Sequence, residues 1–252
     1  MVNFEYREHY TVEDLRKLIS ALRSEGGCPW DRVQTHGSIR RNLIEEAYEA
    51  AGAIDEGDPE HLKEELGDVL MQVVFHADIE AAAGRFDLDD VADHVCRKLI
   101  GRHPNVFSPE EGKAPPDWDE LKRRERHQET AADDMDDVAR SLPALWRSEK
   151  IVKKAVKSGL CRCGAEETQR AVCGKSRALE MENGGEHTEE LLGELLFCAV
   201  SAAYAQGLDP EKLLTEETDR FIHAFQKREE QVSQAGGAEP REVTELLSRK
   251  QD

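Results

Sequence analysis

Asp58-Pro59-Glu60-His61-Leu62-Lys63-Glu64-Glu65-Leu66-Gly67-Asp68-Val69-Leu70 is the stretch whose reading decides the fold. Asp58 suits an N-cap and Pro59 the first helical position, where proline's fixed φ matches the helix and its missing N–H would have had no partner. Leu62, Leu66, Val69, Leu70, Val73, Val74, Phe75 and Ala77 then make the segment apolar on most sides. A helix of that kind belongs between other helices. It nevertheless carries Glu65 and Asp68, and buried carboxylates are costly unless paired or bound to a cation.

Upstream, Gly57 stops a helix predicted from about Ser38 to Asp55, with Ile39, Leu43, Ala47, Ala50 and Ile54 sharing an apolar arc. Glu46 lies at the border of that arc and Glu49 further round. Residues three apart meet on one helix face, so Glu46 with Glu49, and Glu65 with Asp68, form two acid pairs. Four acids so placed repel unless a cation lies between them. A hard divalent ion such as Mg2+ takes oxygen ligands and bridges carboxylates to phosphates. One such pair alone is usually a solvated face; two on successive helices, the second too apolar for the surface, favour a metal. Di-iron bundle sites want Glu-x-x-His and zinc peptidases His-Glu-x-x-His, which these segments lack. Cys161-Arg162-Cys163 with Cys173 does not have the Cys-x2-Cys spacing of a zinc site.

Further out, Thr11 caps a helix with Leu15, Leu18, Ile19 and Leu22 on one stripe, ended by Gly26-Gly27, and a loop follows from Cys28 to His36. Asp87 caps a helix reaching about Arg102, where His103-Pro104 ends it. Lys98 and Arg102, four apart, read either as cations favourable near a helix C-terminus or as a phosphate clamp, and the two roles are compatible. Prolines mark a loop over 108–117, and a helix begins near Pro116 with Trp118, Leu121 and Lys122. Strand patterns are scarce throughout, so the class is all-α.

The acidic run Thr130 to Asp137 reads as a linker, after which the pattern recurs. Ser141-Leu142-Pro143 opens a helix, and Glu189-Glu190-Leu191-Leu192-Gly193-Glu194 echoes Glu64-Glu65-Leu66-Gly67-Asp68. We expect two tandem helical domains, 1–129 and 141–252, joined by 130–140. The second is degenerate: Gln169 to Lys175 holds no acid pair, Leu191 stands where Glu65 does, Glu194 replaces the aspartate, and Ala224 follows Arg220 where an arginine is expected. The repeated scaffold without the quartet implies that folding does not require those acids.

The chain has 252 residues and a formal net charge of −19, which argues against a broad nucleic-acid or anionic-membrane surface. Its start resembles neither a signal nor a transit peptide, and no apolar run approaches the roughly 18 residues of a membrane span; a soluble, cytoplasmic protein is expected. Six scattered cysteines read as reduced thiols.

Taken together, Gly27-Cys28-Pro29-Trp30-Asp31, Gln34-Thr35, Glu45-Glu46-x-x-Glu49, Glu65-x-x-Asp68, Lys98-x3-Arg102-His103-Pro104-x-Val106-Phe107 and Trp118-x3-Lys122 resemble the MazG family of nucleoside triphosphate pyrophosphohydrolases. The resemblance implies tandem all-α domains in four-helix assemblies, a homodimer, and Mg2+-dependent hydrolysis of nucleoside triphosphates to monophosphate and pyrophosphate, with Mn2+ an alternative ion. It implies Glu46, Glu49, Glu65 and Asp68 as metal ligands, with Glu45 and Glu64 supporting them. Catalysis would fall to Glu45, Glu46, Glu49, Lys98 and Arg102, the last two meeting phosphates, and Trp30, Trp118 and Lys122 would lie near the substrate. The chemistry is expected in the first repeat, the second completing the dimer. The degenerate repeat also admits a catalytically silent nucleotide-binding or scaffolding protein.

Overall fold

The computed structural model describes residues 4–107, 121, 125, 128–182 and 184–235. Among them all regular structure is helical, as the shortage of alternating β-branched residues predicts. The chain divides into two compact units, Met1–Pro116 and Asp117–Asp252.

In the first unit, α1 (Val12–Arg23) starts from a capping box in which Thr11 and Asp14 satisfy each other's end of the helix. The predicted loop from Cys28 to His36 contains one helical turn, α2 (Pro29–Arg32), begun by Pro29 at its first position. Helix α3 (His36–Glu56) begins two residues before the predicted Ser38, because Thr35 and Ser38 form a second capping box. Gly57, at φ 73°, ends it in the left-handed conformation that a side chain would strain. Asp58 then accepts from the Glu60 and His61 amides and starts α4 (Pro59–Ala82), so α3 and α4 form a tight antiparallel hairpin. Helices α5 (Leu88–Arg102), capped by Asp87, and α6 (Pro104–Phe107) follow.

α4 is the central helix that its composition predicts: α1, α3 and α5 all pack on it. Val74 and Phe75 of α4 join Ile19 of α1 and Ile39 of α3 in the core, with Leu70, Met71 and Leu88 around them. Each such side chain contributes about 1.5–3 kcal/mol by leaving water. Arg23 fastens the far side, bonded to Asp78 at 2.8 Å and to the Asp31 carbonyl at 2.8 Å, with its guanidinium over the Phe75 ring. The buried arc of α3 differs from the sequence reading. Ile39, Ala50 and Ala53 are buried while Ala47 and Ile54 are exposed, and this rotation turns Glu46 toward α4.

The second unit contains α7 (Ala131–Asp136), α8 (Ala144–Lys157), α9 (Ala165–Glu182), α10 (Thr188–Ala205) and α11 (Pro210–Ala235). Helix α7 lies inside the stretch read as a linker. Thr130 and Asp133 cap it reciprocally, and Asp134 pairs with Lys154 of α8. α9 runs through Gly174 and packs along α10 as a second long hairpin. All six cysteines are free thiols. The loop predicted over 108–117 and the helix predicted from Pro116 lie largely outside the described residues, of which Leu121 and Glu125 are helical. Among the described residues no single helix is long and apolar enough to cross a membrane.

Candidate metal centre

The side of α4 that faces α3 is polar over its whole length. His61, Glu65, Asp68, Gln72, His76 and Glu80 follow one another at intervals of three and four, which keeps them on one face. The antiparallel pairing sets Glu56 of α3 against His61, Glu49 and Glu46 against Glu65, Glu46 against Asp68, and His36 against His76.

At the middle of this seam, carboxylate oxygens of Glu46, Glu49 and Glu65 all lie within 4.8 Å of one another. Burial pushes the Glu46 carboxyl above the usual carboxylate range, and the charge of Asp68, the hydrogen bond and charge of Glu49, and the charge of Glu65 push it the same way. These are the marks of anions held close without enough neutralising charge. Three carboxylates offer only hard oxygen donors, the chemistry that suits Mg2+ or Ca2+ over zinc.

His61 is a participant that sequence reading missed. Its Nδ1 meets Glu56 at 2.8 Å and its Nε2 meets Glu65 at 3.1 Å. With both nitrogens against carboxylates its pKa is raised, chiefly by the Glu56 bond and then by the charges of Glu56 and Glu65. Glu65 itself is only 13% exposed. His61 thus orients Glu65 toward α3, the outer-shell role that ligating carboxylates commonly require. The four-residue spacing of His61 and Glu65 on one helix was the available signal.

Not every expected residue joins the group. Asp68 acts on Glu46 by its charge but is not among the three residues whose oxygens converge. Glu45 and Glu64 are exposed and outside it. Lys98 and Arg102 are half-buried on α5, which packs on α4. His103 caps that helix, its Nδ1–H donating to the Leu99 carbonyl at 2.7 Å. Trp30 is 59% exposed on α2. Trp118 and Lys122 lie outside the described residues.

The second hairpin handles its inter-helix acid differently. Glu194 of α10 is met by Lys175 of α9, so its charge is neutralised within the protein.

Comparison with known proteins fits this geometry. The MazG nucleotide pyrophosphohydrolase domain family matches residues 34–107, which span both acid-bearing helices. The chain is 36% identical over 224 residues to the nucleoside triphosphate pyrophosphohydrolase/pyrophosphatase MazG of Thermotoga maritima, covering 89% of this chain and 88% of that protein. It is 34% identical over 237 residues to the nucleoside triphosphate pyrophosphohydrolase of Escherichia coli, covering 89% of each. A protein of that description from Mycolicibacterium smegmatis is 41% identical over 152 residues, 58% of this chain and 46% of its own.

Proposed function

Because the chain belongs to the MazG family, we propose that it hydrolyses nucleoside triphosphates to monophosphate and pyrophosphate with Mg2+, using the acids of its first hairpin. The observation that carries this is the convergence of Glu46, Glu49 and Glu65, with the charge of Asp68 on Glu46. Glu46, Glu49, Glu65 and Asp68 would hold the ion. Bound there, Mg2+ neutralises triphosphate oxygens and lowers the barrier to water attack, and Mn2+ can substitute for it.

The protein's own groups do the rest. His61, against Glu65 through Nε2, keeps that carboxylate turned toward α3 as a ligand. Because the proton affinity of Glu46 is raised, proton and cation compete for the same carboxylate as pH falls. Lys98 and Arg102 of α5 offer cations for the charge that develops on the leaving pyrophosphate. Glu45 and Glu64, exposed beside the ligands, support them through their field.

We assign the chemistry to a domain over 1–129 and a supporting role to a degenerate repeat over 141–252. The Lys175–Glu194 pair favours this, since an acid already neutralised has no need of an ion. The same observation favours a silent role for the second repeat alone. A homodimer accounts for the large apolar side chains left exposed on the first hairpin, Ile44, Tyr48, Ile54 and Leu66. We place the protein in the cytoplasm, and its strongly acidic charge argues against nucleic-acid or anionic-membrane partners.

Pyrophosphate release from a panel of nucleoside triphosphates, with and without Mg2+, tests the proposal. Glu49→Gln is expected to abolish turnover while leaving the far-UV spectrum unchanged. Full turnover in that variant would refute the site, and nucleotide binding without product in the native protein would favour the silent alternative.

A further inference from the structure

The far end of the polar seam holds a second cluster, separate from the acids. His36, in the first turn of α3, and His76 of α4 lie with their rings nearly parallel and their Nδ1 atoms 2.7 Å apart. His36 Nε2 bonds to Glu80, whose carboxylate also accepts from Arg85 Nε and, at 2.7 Å, from Arg85 Nη2. His76 Nε2 is buried and, among the described residues, has no hydrogen-bond partner.

Proton counting restricts what this geometry can be. Two Nδ1 atoms at hydrogen-bond distance require one donor and one acceptor, so a single proton lies between the rings. His36 Nε2 must donate, because Glu80 is held as a carboxylate by Arg85. In the neutral pair, His76 is therefore the Nδ1–H tautomer, donating to His36, and its buried Nε2 is bare. One added proton enters at His76 Nε2 while the shared proton passes to His36 Nδ1. That leaves an imidazolium against Glu80 and a neutral His76. A second added proton puts hydrogens on both facing Nδ1 atoms, and the contact cannot survive.

We propose that His36 and His76 form a single-proton latch that fastens the start of α3 to α4, closed while the pair carries at most one positive charge and opened by the second. Among the described residues no partner competes for His76 Nε2. Among the described residues the charges beside the pair are Glu80 and Arg85. The charges that α1 and α5 bring against α4 are engaged elsewhere: Arg23 with Asp78, Arg16 with Glu13 and Asp89, Lys17 with Glu13, and Asp87 and Asp90 in the α5 cap. On α3, Arg40 lies one turn on and is exposed. Burial, and then the proximity of His36, lower the pKa of His76, in keeping with a ring that resists the second proton. The latch is a property of the hairpin and stands whether or not the acids hold Mg2+.

The test uses the full chain labelled with 15N. Ring correlations at pH 8 are expected to show His36 as the Nε2–H and His76 as the Nδ1–H tautomer. Between pH 8 and pH 5, amide protection at Ile39 to Leu43, corrected for intrinsic exchange, is expected to be lost progressively, because the facing Nδ1 atoms cannot both carry hydrogen. His76→Phe removes the facing Nδ1 and with it the second protonation of the pair, and should abolish that loss of protection. His36→Gln, which keeps a donor for Glu80 and an acceptor for His76, should do the same and serves if the phenylalanine variant does not fold. Nε2–H tautomers on both rings at pH 8, or an equal loss of protection in native protein and variants, would overturn the latch.

Discussion

Replacing Glu46 by glutamine should have opposite effects on the free protein and on its metal complex. Glu46 has carboxylate neighbours in Glu49 and Glu65 within 4.8 Å. Coulomb's law gives each pair of unit charges at that distance about 0.9 kcal/mol in water and about 3.5 kcal/mol at an effective dielectric of 20. Glu49 is exposed, so water screening places the true value near the lower figure, and relief from two neighbours comes to about 2 kcal/mol at most. Glutamine keeps the shape and removes the charge. The metal-free variant should therefore be more stable than the native protein at pH 7, by about 1–2 kcal/mol. The sign with pH is fixed as well. An acid whose folded pKa is raised holds its proton longer when folded, so native stability falls as pH rises from 4.5 through the raised value. The variant should lack that fall. Loss of one ligand should weaken Mg2+ by at least about 100-fold, so the stabilisation by added Mg2+ expected of the native protein should be absent from the variant, and pyrophosphate release with it. Urea unfolding with and without Mg2+, from pH 5 to pH 8, measures all of this, with Asp55→Asn, an exposed acid elsewhere on α3, as the charge control. A Glu46→Gln protein that is less stable without metal, or that keeps its response to Mg2+, would refute the repulsion account.

Three other outcomes follow from particular contacts. Arg23→Ala should destabilise the first unit by about 3 kcal/mol in urea, because it strands Asp78, 15% exposed, and removes the cover over Phe75. Lys175→Met should cost under about 1 kcal/mol, since the pair it breaks is part-exposed; its interest is that it leaves Glu194 free, and it should not create Mg2+-dependent turnover in the second hairpin. Glu80 has a folded pKa held down to about 2 from 4.5, first by the Arg85 bond and then by His36. Its contribution is complete above pH 4.5 and lost as pH falls toward 2, so Glu80→Gln should flatten the acid limb of the urea midpoint plotted against pH over that range.

The helices were legible because their signals are local. Thr11, Asp58 and Asp87 announce caps, Gly57 a stop, and the apolar density of α4 its central place. Two kinds of feature were not. Where Thr130 and Asp133 build a short helix, composition alone suggested a linker, because a reciprocal cap outweighs a polar run only when its geometry is known. The acids were found but not their ranking. Glu45, Glu46 and Glu49 look alike in sequence, yet the buried arc of α3 settles on Ile39, Ala50 and Ala53 and leaves Glu45 outside. His61 and His76 were passed over because each depends on an opposite residue, Glu56 and His36, that only the hairpin register brings near.

The two hairpins together explain why that register matters more than the count of acids. Each unit is built on a pair of long antiparallel helices, and each pair carries a carboxylate at its inner face. In the second, Lys175 meets Glu194, the charges cancel, and the hairpin is electrostatically complete. In the first, α3 answers Glu65 and Asp68 with Glu46 and Glu49, and His61, which meets Glu65, is already shared with Glu56. Such a face is destabilising by itself and is tolerable in a marginally stable fold only if the core that Val74 and Phe75 anchor offsets it. The same deficit of positive charge that weakens the free hairpin would give a divalent ion something to bind, so stability and affinity at this face should move in opposite directions when charge is removed at Glu46 or Glu49.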